Sequence, residues 1–128
     1  MKQSARMYIL ILFAALFVVA PVYCQNSKPS TMTKELTDLG KKSYEQNCEA
    51  CHGLKGDANT PAGNALTPHP PDFTKALKDW PDSKGDPEKI FNIITKGISD
   101  SAMAGWSQLP EKERWGLVYY VTGFSKEK

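Results

Sequence analysis

The chain is poor in the residues that build metal clusters and disulfide frameworks, with three cysteines and two histidines among 128 residues. Three cysteines are too few for a disulfide scaffold. A zinc site wants two more ligands at short spacing beside a Cys-x-x-Cys pair. Outside the stretch 48–52 only Cys24 and His69 remain, and they form no second pair. The apolar run Tyr8–Ala20 has 13 residues, short of the ~20 that a spanning helix needs. Neither an internal repeat nor a low-complexity block is present. A charge excess is missing too. Taking Lys2 and Arg6 of the leading segment from the 16 basic residues leaves 14, equal to the 14 acidic ones. That gives no case for nucleic-acid binding, which wants a basic patch. Hydrophobic residues make up 41%, an ordinary globular share, and the length favours one domain.

What is present is Cys48-Glu49-Ala50-Cys51-His52, two thiols three positions apart followed at once by an imidazole. This pattern reads as a covalent c-type haem site. Each thiol can add to one haem vinyl group, and on a helical turn residues 48 and 51 point to nearly the same side. His52 then lies under the ring and can give a nitrogen to the iron. A thiol redox motif is the competing reading, but it wants a βαβ setting that the pattern of elements does not supply.

Residues 1–24 read as a signal peptide or N-terminal membrane anchor, with Lys2 and Arg6 ahead of the apolar run and Pro21 ending it. Tyr23 before Cys24 suits neither a small-x-small cleavage site nor a lipoprotein site. Cleavage near Cys24, lipidation of Cys24 and a retained anchor stay open, in that order. Residues 25–32 are polar and read as a flexible tether. Residues 33–128 remain as the domain.

A first helix is expected over Lys34–Asn47 with Thr33 as N-cap. Leu36, Leu39, Gly40, Ser43, Tyr44 and Asn47 share one stripe. Gly40 costs a helix ~1 kcal/mol against alanine, so its expected use is close approach of another helix. After His52 glycine and proline crowd together, a long loop of the functional kind, with Leu66 facing the cofactor. A backbone carbonyl there, Pro61 being the expected donor residue, would hold the second ring nitrogen of His52. A rigid turn is the other reading of Pro61. His69, between Pro68 and Pro70, is expected at the surface rather than on the iron.

A short helix is expected near Thr74–Lys78. Trp80 either packs or gives its N–H to a haem propionate, and Asp82-Ser83-Lys84-Gly85 reads as a polar turn. Asp86, Pro87 and Glu88 mark the next helix start, and Lys96 with Gly97 marks its stop. Met103 follows in a loop of small residues, where a thioether has easy access to an iron, although methionine is more often core filler. The last helix is expected from about Pro110 to Phe124, with Trp115, Leu117, Val118, Tyr120 and Val121 giving it a broad apolar surface.

In this order the motifs resemble a class I, single-haem bacterial cytochrome c over about Leu36–Phe124. Gly40 and Tyr44 precede the haem pentapeptide and Gly53. The proline-rich loop, the stop at Gly97 before Met103, and Trp115-Gly116-Leu117-Val118-Tyr119-Tyr120-Val121 follow. The resemblance implies an all-α, small cytochrome c fold. Its N- and C-terminal helices cross, Gly40 and Tyr44 on Leu117 and Tyr120, and loops wrap around one covalently bound haem. It also implies His52 and Met103 as the two axial iron ligands and Cys48 and Cys51 as the thioether positions. Ala104 departs from the proline that members often carry after the methionine, and Tyr119 stands where many have a small residue. The implied function is one-electron transport in a respiratory or other redox chain of the bacterial periplasm, through transient redox protein partners, and not as an enzyme. A gas- or peroxide-reactive haem protein with an open or labile sixth iron position is the alternative.

Overall fold

The computed structural model describes residues 28, 29 and 31–125. The leading segment 1–24, with Cys24, and half of the expected tether lie outside the described residues. Along the described chain run helices α1 (Lys34–Asn47), α2 (Glu49–His52) and α3 (Pro61–Asn64), a 3-10 turn (Leu77–Asp79), and helices α4 (Pro87–Lys96) and α5 (Glu111–Thr122). These residues form no strand, only an isolated antiparallel bridge between Gly97 and Ala104. The fold is all-α. No helix among the described residues is long and apolar enough to cross a membrane.

Local chemistry sets the helix ends. The Thr33 hydroxyl accepts the Leu36 N–H at 3.2 Å and starts α1. One Asp86 carboxylate oxygen accepts the N–H groups of Glu88 and Lys89 at 2.8 and 3.0 Å and starts α4, with Pro87 in its first turn. Each satisfies donors that a helix start leaves open. Helix α4 stops at Gly97, whose φ of 74° a side chain would disfavour. Helix α5 begins after Pro110 and ends at Thr122, two residues short of the expected Phe124.

Helix α1 buries Leu36, Gly40, Ser43 and Tyr44, and that stripe crosses α5. The crossing is glycine on glycine. A Cβ at Gly40 would fall on the carbonyl group of Gly116 and lie 2.8 Å from the Leu117 nitrogen. A Cβ at Gly116 would lie 2.7 Å from the Leu36 carbonyl oxygen and 2.9 Å from the Gly40 nitrogen. Beside it the Tyr44 and Tyr120 rings pack at 5.2 Å. The Ser43 hydroxyl donates to Glu113 at 2.6 Å, joining the same two helices. Tyr119 packs at 6.4 Å on Trp115 and donates its hydroxyl to the Pro29 carbonyl at 3.1 Å. Lys28 meets Glu88 at 2.8 Å and stands over the Trp115 ring.

Two expectations for the loops are corrected. The helix expected near Thr74–Lys78 is absent. The Asp72 carboxylate takes both the N–H and the hydroxyl of Thr74, a local turn that competes with helix. Ala76 is extended, and only the 3-10 turn follows. The long loop after His52 holds α3, capped by the Thr60 hydroxyl at the Gly63 nitrogen (2.8 Å).

Candidate haem site

The core is a shell rather than a solid. Tyr44, Trp80, Ile90, Ile94, Leu117 and Val121 belong to the buried cluster and also line a cavity of about 460 Å³. Protein interiors are close-packed, and an apolar space of this size is that of a ligand pocket. Cys48, Cys51 and His52 line one side of it, and Met103 lines it from the loop between α4 and α5. His69, Leu66 and Ser83 line it as well.

The cysteine–histidine turn is rigid because its carbonyls are all used. Cys48 closes α1 and opens α2, with its N–H on the Tyr44 carbonyl at 2.8 Å and its carbonyl accepting the His52 N–H at 2.9 Å. The Thr60 hydroxyl donates to the Ala50 carbonyl at 2.8 Å. The Ala58 N–H reaches the His52 carbonyl at 2.9 Å. The buried Tyr44 hydroxyl reaches the Gly53 carbonyl at 2.7 Å. Sequence reading missed Thr60 and Ala58; a threonine directly before Pro61 was the available cap signal.

The His52 ring stacks on Phe73 at 4.8 Å with 12° between planes, and Phe73 in turn packs on Trp80 at 4.8 Å. Burial in these apolar surroundings lowers the His52 pKa to about 4, so the imidazole is neutral at pH 7, the form that ligates metals. Its Nδ1 is buried without a hydrogen-bond partner among the described residues. The expected bond to the Pro61 carbonyl is therefore not made; Pro61 instead opens α3 behind the Thr60 cap. Burial, and next the proximity of Cys51, raises the Cys48 pKa to about 11. A redox-active thiol pair needs the opposite shift, and no disulfide joins Cys48 to Cys51. Among the described residues no three His, Cys, Asp or Glu side chains gather as a metal cluster, so the zinc reading has no ligand set there. A neutral imidazole and two free thiols on an apolar cavity fit a covalent haem.

Met103 is positioned by its own loop. Its N–H donates to the Ser101 hydroxyl at 3.1 Å, and that hydroxyl donates to the Ile98 carbonyl at 2.9 Å. The Ile98 N–H returns to the Met103 carbonyl at 3.0 Å. The loop lies against the end of α4 so closely that a Cβ at Gly97 would strike the Met103 carbonyl oxygen. Ser101 is a second positioning residue that the sequence reading missed. Trp80 gives its indole N–H to the Lys75 carbonyl at 3.1 Å, so of its two expected roles the structure shows packing. His69 is exposed and keeps both ring nitrogens on local oxygens, those of Pro70 (2.7 Å) and Asn64 (3.2 Å).

The family model for cytochrome c oxidase, cbb3-type, subunit III matches residues 35–121. Among solved structures, a chain of the reducing HAO-like protein complex of Kuenenia stuttgartiensis is similar, with a TM-score of 0.61 and 25% identity. The match covers 78% of this chain and 46% of that one, so this chain spans under half its length. No curated protein matches.

Proposed function

Because the chain belongs to the family of c-type cytochrome domains typified by cytochrome c oxidase, cbb3-type, subunit III, we propose that it is a single-haem electron carrier with His52 and Met103 on the iron. A c-type cytochrome domain works by haem-based electron transfer, and its cofactor is covalent haem c. When bound, the haem supplies one iron that changes oxidation state by one electron.

The observation that carries this reading is that Cys48, Cys51, His52 and Met103 line one cavity from two separate parts of the chain. Cys48 and Cys51 offer the thiols for attachment. His52, neutral and held against Phe73, offers the imidazole. Met103 offers a soft, uncharged thioether, which favours the ferrous state and keeps small ligands off the iron. The aliphatic walls, among them Ile90, Ile94, Leu117 and Val121, exclude water. Two protein ligands leave no vacant position for a substrate, which is why a carrier is favoured over an enzyme. Partners are redox proteins that meet it briefly through small interfaces. Residues 1–24 direct export to the bacterial periplasm, where the protein works free or attached by that segment.

The test is the absorption spectrum of the oxidised protein. The weak far-red charge-transfer band shown by His/Met cytochromes of this kind is expected in the wild type and absent in Met103→Ala, with a lower reduction potential in the variant. A wild-type spectrum without that band overturns the ligand assignment.

A further inference from the structure

A haem brings two carboxylates to a site whose walls are mostly aliphatic and aromatic. A buried carboxylate needs hydrogen-bond donors. Most donors along this cavity are already committed. The Tyr44 hydroxyl is on Gly53, the Trp80 indole on Lys75, the Ser101 hydroxyl on Ile98, and one Asn47 amide hydrogen on Ser43. The His69 ring is held by Pro70 and Asn64.

Ser83 differs. It lines the cavity and is 3% exposed, although its neighbours Asp82 and Lys84 are both exposed. Its hydroxyl oxygen accepts the Gly85 N–H at 3.3 Å, and its proton has no acceptor among the described residues. The backbone on both sides of it is strained. Asp82, Lys84 and Gly85 have φ values of 58°, 52° and 74°, left-handed conformations that cost the two non-glycine residues energy. The turn is pinned on the 3-10 turn, where a Cβ at Gly85 would meet the Leu77 Cβ at 2.5 Å. A turn that reads as fully solvated from its residues thus points its one neutral side chain inward.

We propose that Ser83 is a carboxylate-binding residue of this site, its hydroxyl donating a hydrogen bond to a haem propionate. The proposal rests on haem being bound, not on the carrier reading. Apart from His52 and the two cysteines, which the haem itself would engage, the other uncommitted side-chain donors on the cavity are the Trp106 indole, which is half-buried, and the second amide hydrogen of Asn47. Besides the propionates, Asp82 and His69 are the ionisable side chains facing this wall from the turn and from the proline loop, and Lys84 and Asp86 flank it.

The experiment is a spectroelectrochemical titration of the holoprotein against pH. Removing one electron from the iron favours loss of one proton from a nearby carboxyl, so the reduction potential bends downward at the pH where that group ionises. A donated hydrogen bond stabilises the carboxylate. Ser83→Ala is expected to move the bend upward by about one pH unit, a tenfold weaker acid, with unchanged visible spectra. Ser83→Thr keeps the donor and is expected to leave the bend in place. If the alanine variant does not accumulate, Ser83→Gly, which fits any backbone conformation, takes its place. An unmoved bend in the variant lacking the hydroxyl overturns the proposal. So does a shift produced by Trp106→Phe and not by Ser83→Ala.

Discussion

Replacing Gly40 by alanine sets two effects of opposite sign against each other. Alanine is the better helix former by ~1 kcal/mol, so an isolated α1 would gain. At the α1–α5 crossing, however, the new methyl group meets backbone and not a yielding side chain. It falls on the Gly116 carbonyl and 2.8 Å from the Leu117 nitrogen. Neither atom can rotate away, so the helices must separate. Overpacking costs ~1–3 kcal/mol, and a backbone-on-backbone contact belongs at the upper end. The net loss is then about 2 kcal/mol, or on the order of 10 °C in melting temperature for a domain of this size. Separation also loosens the Tyr44–Tyr120 contact and the Ser43–Glu113 bond. Thermal unfolding followed by far-ultraviolet circular dichroism measures it. The visible spectrum of folded protein should stay nearly normal, since Gly40 does not line the cavity. An unchanged or higher melting temperature would refute the crossing geometry.

Two further outcomes follow from the site and the N-terminus. Cys48→Ala with Cys51→Ala should leave no haem on the chain after acid-acetone extraction, and little folded protein, because the core is a shell around the cofactor's cavity; haem that stays attached contradicts the attachment sites. The intact mass of the natively exported protein should lack residues 1–24; their presence would indicate an anchor, and added acyl mass on Cys24 a lipoprotein.

How much was legible in the sequence depended on how local the cause is. Thr33, Asp86-Pro87 and Lys96-Gly97 act within a few residues, so the ends of α1 and α4 could be read directly. The cysteine–histidine turn carries its own chemistry in five residues. Gly40 announced a close contact, but Gly116 as its counterpart did not, because pairing depends on the crossing point of two distant helices. The support of the haem turn was equally hidden. Thr60, Ala58 and Tyr44 converge on carbonyls 50–53 only after the chain folds back. Phe73 under His52 carries no spacing signal at all. Pro61 was expected either to hold His52 through its carbonyl or to make a rigid turn, whereas its missing N–H and fixed φ suit the start of α3. The inward turn of Ser83 between two charged residues runs against its composition, which is why residue type alone reads that stretch as solvated.

Carbon monoxide binding by the dithionite-reduced wild-type protein tests the carrier reading most directly, because it asks whether the sixth position on the iron is filled. With Met103 in place, rapid mixing should leave the Soret spectrum unchanged, while Met103→Ala should form the adduct at once. Rapid adduct formation by the wild type would contradict the carrier reading and favour a ligand-reactive haem protein.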